Sequence, residues 1–194
     1  MTLPPVIRIF FAIDLPAPTK EKLANFISTL KRKSKSHAIR WSRPENLHVT
    51  LQFLAEMHSE HLHLLINHVR AEVAGVIKEI SLSFGRIHLF PNPYRPRVIV
   101  LDVTPQDELA MLSGLIGHGM KASNYQSENR PFRAHLTLGR IKHTHANLNF
   151  LSEFTNTPVA EDILLKEIVL FRSEPQPEGS KYTVVERIAL KQPA

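Results

Sequence analysis

Two nine-residue stretches of the chain repeat one another: Arg43-Pro44-Glu45-Asn46-Leu47-His48-Val49-Thr50-Leu51 and Arg130-Pro131-Phe132-Arg133-Ala134-His135-Leu136-Thr137-Leu138. Five positions are identical, and the copies lie 87 residues apart, close to half of the chain. A lone His-x-Thr carries little information, because eleven histidines in 194 residues produce it by chance. A nine-residue match at half-chain spacing indicates internal duplication. The residues it pairs are suited to acid–base chemistry on a phosphodiester. One group must take a proton from an attacking water while another gives a proton to the leaving alkoxide, and an imidazole with an ordinary pKa near 6.5 does either task near neutral pH. Each such group contributes about 10²- to 10⁴-fold. A threonine hydroxyl beside each histidine can donate to a non-bridging phosphate oxygen. Such a site of His48, Thr50, His135 and Thr137 needs no metal or other cofactor.

The elements that must position these residues follow from periodicity. In a strand, residues i and i+2 share a face, so His48 and Thr50 point one way while Leu47, Val49, Leu51 and Phe53 point to the core. Ala134, Leu136 and Leu138 repeat the apolar face in the second copy. Further strands are expected over residues 6–14, 39–42, 80–90, 97–104, 163–171 and 182–190. A helix after Pro16-Ala17-Pro18 carries the stripe Leu23, Phe26, Ile27 and Leu30. A second, capped by Ser59 and ended by Gly75, carries Leu62, Leu65, Ile66, Val69 and Val73. A third opens at Thr104-Pro105-Gln106-Asp107, which reads as a capping box, and presents Leu109, Leu112, Leu115, Ile116 and Met120. No linker divides the chain. Two copies of a lobe related by approximate twofold symmetry would bring equivalent strands, and both histidines, to one cleft.

Lysine and arginine exceed aspartate and glutamate by 24 to 18, a formal charge of +6, which favours an anionic partner. The run Lys31-Arg32-Lys33-Ser34-Lys35 suits either a solvated helix end or attraction to phosphate. Without cysteine there is neither a disulfide nor a thiol nucleophile. No signal peptide is evident, and the apolar runs are far shorter than the roughly 20 residues of a membrane-spanning helix, so a soluble, cytoplasmic protein is expected. His58, His61, His63 and His68, with Glu60 nearby, read as a solvated helix face or a zinc site; only His61 and His68 share an azimuth, which favours the solvated face. His143 and His145 read as surface residues.

With these residues in view, the chain resembles the 2H phosphoesterase superfamily, and within it the bacterial RNA 2′,3′-cyclic phosphodiesterase (LigT-like) family. Besides His48-Val49-Thr50-Leu51 and His135-Leu136-Thr137-Leu138, the resemblance takes in Arg8-Ile9-Phe10-Phe11-Ala12-Ile13, Arg40-Trp41 and Phe53-Leu54. It continues through Phe84-Gly85, Arg95-Pro96-Arg97, Leu170-Phe171-Arg172-Ser173, Gly179 and Tyr182. It implies a bilobal α+β fold of duplicated antiparallel-sheet lobes with outer helices. The whole chain, 1–194, would be one domain of two intertwined lobes with one motif each, 48–51 and 135–138. The implied activity is hydrolysis of a terminal RNA 2′,3′-cyclic phosphate to a 2′-phosphomonoester, without a cofactor, on cyclic-ended RNA or cyclic nucleotides.

By the same resemblance, His48 is the proton donor, His135 the proton acceptor, and Thr50, Thr137 and Arg140 bind the substrate. A monomer is expected. The alternatives are 2′,5′ RNA ligation, the same reaction reversed with a hydroxyl in place of water, and a non-catalytic RNA- or nucleotide-binding module with the same cleft. Two positions depart from the family pattern: Ala134 stands where proline is usual and Ala55 where glycine is. Strict alternation turns Arg140 away from His135, so it reaches the cleft only if Gly139 introduces a bulge or the strand ends there. Phe11, Trp41, Phe53, Tyr94, Phe132 and Tyr182 are candidates to stack on a base, with Tyr182 the best placed and Phe53 assigned to the core.

Overall fold

The computed structural model describes residues 3–35, 37–74, 80–127, 131–142, 147–154, 157, 159–177 and 179–190. The strands are β1 (Val6–Asp14), β2 (Ile39–Trp41), β3 (His48–His58), β4 (Ile80–Phe90), β5 (Val98–Thr104), β6 (His135–Ile141), β7 (Ile163–Leu165), β8 (Glu167–Glu174) and β9 (Lys181–Ala189). The helices are α1 (Ala17–Ser34), α2 (Leu62–Val73) and α3 (Gln106–Ala122). Short 3-10 turns cover Pro44–Asn46, Ser59–His61 and Asn149–Phe154.

All the strands belong to one sheet, in the order β7-β4-β5-β6-β3-β1-β8-β9, with β2 beside β6. Read from the middle outward, that order is symmetric. β3 and β6 carry the two repeats, β1 and β5 flank them, and β8 and β4 come next. β4 precedes β5 in sequence yet pairs with it, while β8 pairs with β1. Each half of the duplication therefore hands its third strand to the other half. The two repeat strands, β3 and β6, pair at a single position, Val49 with Leu136, the residues that follow the two histidines.

The expectation of one strand over residues 163–171 is corrected: Lys166 separates β7, which pairs with β4, from β8, which pairs with β1 and β9. An apolar run cannot reveal a change of partner. Because one residue joins strands from distant places in the order, the sheet must curl into a half-barrel. Its helix-covered face holds the main core, which includes Leu23, Ile27 and Leu30 of α1, Leu65, Val69 and Val73 of α2, and Leu109, Leu112, Ile116 and Met120 of α3. The apolar stripes expected of the three helices are buried except at Phe26, Leu62 and Leu115, which are partly buried and pack against the core. α2 and α3 pack so closely that a Cβ on Gly119 would lie 2.7 Å from the Val69 Cα.

The helix starts differ from expectation. Ser59 opens the 3-10 turn, and α2 begins at Leu62 with no side-chain cap. Thr104 is held in the ladder opposite Ser83, so Pro105, extended at φ −80° and ψ 133°, takes the N-cap position of α3. Gly75 lies outside the described residues.

Candidate active site

β3 and β6 meet only at the Val49–Leu136 pair, because β2 occupies the side of β6 at residues 139–141. The two strands then diverge, and the wedge between them opens a cleft. Antiparallel register about that pair sets His48 level with Thr137 and Thr50 level with His135, all on the face away from the helices. Ser42 secures the geometry from the loop before β3: its N–H donates to the Leu138 carbonyl at 2.8 Å and its hydroxyl to the Thr137 carbonyl at 2.7 Å.

Both strands are bulged at equivalent places. On β3, Thr50 and Gln52 face Ala12 and Phe11, leaving Leu51 as the extra residue. On β6, Thr137 and Gly139 face Val100 and Ile99, leaving Leu138 extra. A bulge reverses side-chain parity beyond it. Gln52 and Gly139 are accordingly buried like the leucines before them, and Phe53 and Arg140 turn to the cleft. The assignment of Phe53 to the main core is therefore corrected. It belongs to a small apolar cluster on the cleft face with Phe10, Ala12, Val169, Phe171 and Tyr182. The bulge that brings Arg140 to the cleft wall is present, with Gly139 at its end, where a Cβ would stand 3.0 Å from Ile39 and 3.1 Å from the Trp41 ring.

The two histidines are held alike. His48 Nδ1 is 2.7 Å from the Asn46 carbonyl oxygen and His135 Nδ1 is 2.7 Å from that of Arg133. A carbonyl only accepts, so Nδ1 carries the proton in each neutral ring and Nε2 is the nitrogen left with a lone pair. The Thr50 hydroxyl is 3.0 Å from His48 Nε2. Their surroundings differ. His48 lies among Phe10 at 4.8 Å, Tyr182 at 5.3 Å and Phe171 at 6.3 Å between ring centroids. Burial in that cage lowers its pKa to about 4, against the raising influence of the Asn46 carbonyl and Asp14. Lys20 and Arg140 add to the lowering. His135 instead stacks on Phe90, at 5.5 Å and 13° between planes.

The cleft, about 580 Å³, takes in His48, Thr50, His135, Thr137 and Arg140 together. It also brings in Arg8, Arg40, Arg43, Asn46 and Ser180, which sequence reasoning did not single out as site residues. Of the aromatic candidates, Trp41, Phe53 and Tyr182 line the cleft, Phe132 lines a neighbouring depression, Phe11 is core and Tyr94 is exposed. A missed pair stands beside the histidines on the neighbouring strands, Asp14 opposite His48 and Asp102 opposite His135. Asp14 binds Lys20 at 2.6 Å; Asp102 binds His88 at 2.6 Å and Arg133 at 2.9 Å. The matching apolar-apolar-apolar-Asp segments, Phe11 to Asp14 and Ile99 to Asp102, extend the duplication and could have revealed them.

The histidines around α2 have other partners. His61 meets the Tyr125 hydroxyl at 2.8 Å, His68 the Ser123 hydroxyl at 2.8 Å, and His63 the Asn67 amide at 3.1 Å. Among the described residues, no group of three or more His, Asp or Glu side chains could hold a metal ion. His143 and His145 lie outside those residues, as does Arg130 of the second repeat. No described helix is long and apolar enough to cross a membrane.

The curled antiparallel sheet, whose central strands each present a His-x-Thr face to one cleft, is the arrangement that the resemblance to phosphoesterases implies. Comparison with known proteins agrees. Residues 13–100 match the family model described as LigT like Phosphoesterase. An Archaeoglobus fulgidus protein named RNA 2′,3′-cyclic phosphodiesterase is 31% identical over 168 residues, covering 84% of this chain and 92% of the relative. An Escherichia coli protein of the same name is 29% identical, covering 95% and 97%. The crystal structure of Escherichia coli LigT complexed with 3′-AMP superimposes with a TM-score of 0.76 at 27% identity, covering 96% of this chain and 99% of that one. The chain belongs to the LigT-like phosphoesterase family.

Proposed function

We propose that this protein hydrolyses terminal 2′,3′-cyclic phosphates of RNA to 2′-phosphomonoesters by metal-independent catalysis between His48 and His135. The observation that carries the reading is the meeting of two His-x-Thr faces at one strand pair, each histidine with Nδ1 committed to a carbonyl and Nε2 turned to the cleft. The names of the relatives support the substrate. The chain acts as one domain of two intertwined lobes, in keeping with the exchange of β4 and β8.

His135 Nε2 takes a proton from water, whose oxygen attacks phosphorus. The bond to the 3′ oxygen breaks, and His48 Nε2–H protonates that oxygen, leaving a 2′-phosphate and a 3′-hydroxyl. Thr50 and Thr137 donate to the non-bridging oxygens as charge builds on them. In the free protein, burial keeps His48 neutral near pH 7. The donor role requires the anionic phosphate, bound against the ring, to restore its proton. Arg140 holds the adjoining phosphate or nucleotide. It stands directly across the ladder from Arg40, and like charges facing each other on a sheet cost stability until an anion joins them. Trp41 lines the cleft, and its indole N–H is buried behind the wall without a partner among the described residues.

The test is turnover of a cyclic-phosphate-ended oligonucleotide by the wild type and by His48→Ala and His135→Ala. Each substitution should lower kcat by about 10²-fold or more. Undiminished turnover in either variant rejects the assignment, and salt-sensitive RNA binding without wild-type turnover would favour a binding module.

A further inference from the structure

The neutral form of His135 that can accept a proton at Nε2 depends on one carbonyl, that of Arg133. The two halves secure this carbonyl differently. In the first half, the Asn46 carbonyl lies at the end of the Pro44–Asn46 turn. The next N–H, of Leu47, donates to the Pro44 carbonyl at 3.2 Å, and the Asn46 side chain donates to the Ser180 carbonyl at 3.0 Å. In the second half, residues 131–134 form no helix or turn that could do this.

Gln106, the first residue of α3, stands in for that turn. Its Oε1 accepts the Ala134 N–H at 3.0 Å, and its Nε2 donates to the Ala134 carbonyl at 2.9 Å and the Val103 carbonyl at 2.7 Å. One side chain thus satisfies both backbone groups of the residue between Arg133 and His135. From the strand side, Asp102 takes the Arg133 guanidinium at 2.9 Å. The Arg133–Ala134 peptide, whose oxygen fixes the imidazole, is held at both ends by residues of β5 and α3.

We propose that Gln106 is a positioning residue for His135. By holding that peptide, it keeps the Arg133 carbonyl aimed at Nδ1 and so keeps the proton off Nε2. Without Gln106 the buried Ala134 N–H loses its partner, the Ala134 carbonyl keeps only the Val103 N–H at 3.4 Å, and the peptide turns to find another acceptor. The Nε2–H form then becomes accessible, and it cannot act as a base at the nitrogen facing the cleft. A misplaced general base costs rate rather than substrate affinity.

The kinetic part rests on the two-histidine reading; the protonation of His135 can be read without turnover. The experiment is imidazole ¹⁵N NMR of the full chain at a pH where both rings are neutral, combined with steady-state kinetics on a cyclic-phosphate-ended dinucleotide. In the wild type, His135 should be in the Nδ1–H form. In Gln106→Ala the Nε2–H form should rise to a comparable share, kcat should fall about ten- to a hundredfold with KM within about twofold, and His48 should not change. Gln106→Glu suits a helix start and should fold, but it loses both donated bonds and sets a carboxylate against the Val103 and Ala134 carbonyls, which pushes residue 134 away and should shift His135 in the same direction. His135 remaining Nδ1–H in both variants overturns the proposal, as does an equal change at His48, which would mark general loosening. If the wild type hydrolyses no cyclic phosphate, the functional reading fails while the spectra still decide the role of Gln106.

Discussion

His48 and His135 are equivalent in sequence and in the carbonyl each uses, yet their environments differ. Three aromatic rings around His48 remove water from it, and its pKa falls to about 4. Since the unfolded chain protonates this ring near 6.5, the unfolded state binds more protons between pH 6.5 and 4, and stability must fall as pH drops through that window. Because the ring is only half-buried at the cleft, the loss is at most about 3 kcal/mol. Urea unfolding at several pH values should show this loss in the wild type and a smaller one in His48→Gln; equal slopes would contradict the burial argument. That His48, Thr50, His135 and Thr137 share one cleft was legible in the sequence, because the repeat and strand parity both select them. The difference between the histidines was not, since it comes from Phe10, Phe171 and Tyr182, on three strands that only the folded sheet brings to His48.

The elements place Arg140 and Phe53 through a device that strict alternation does not contain. Bulges at Leu51 and Leu138 reverse the parity of the residues next after them, Gln52 to Leu54 on β3 and Gly139 to Ile141 on β6. Gly139 hinted at one of them, but nothing in Thr50-Leu51-Gln52-Phe53 marks the other. Arg140→Ala should raise KM for a cyclic-ended oligonucleotide and reduce the slope of log(kcat/KM) against log salt by about one, as expected when one phosphate contact is lost. An unchanged salt slope would place Arg140 off the substrate path. Helix packing makes a different prediction. A methyl group on Gly119 meets the Val69 backbone at 2.7 Å, so Gly119→Ala should cost about 1–3 kcal/mol and lower Tm by several degrees, measured by thermal unfolding, with KM unchanged. The helix stripes were legible because their period is local. The starts of α2 and α3 were not, because Ser59 and Thr104 are engaged in a turn and in a ladder instead of capping.

At the scale of the molecule, duplication explains why one cleft holds two copies of the same chemistry. The Val49–Leu136 pair lies where an approximate twofold axis must pass, and the exchange of β4 and β8 binds the halves into one sheet. The half-chain spacing of the repeats pointed to this symmetry. The exchange of strands and the curl enforced at Lys166 depend on pairings between distant segments, which periodicity does not encode. The symmetry leaves the direction of the reaction open, because either histidine could give the proton. Bond choice at phosphorus therefore tests the account most directly. Phosphorus NMR should follow a 2′,3′-cyclic-phosphate-ended oligonucleotide turned over by the wild type with a metal chelator present. The cyclic resonance should give way to a 2′-phosphomonoester at an undiminished rate. A 3′-phosphomonoester, or turnover abolished by the chelator, would contradict it.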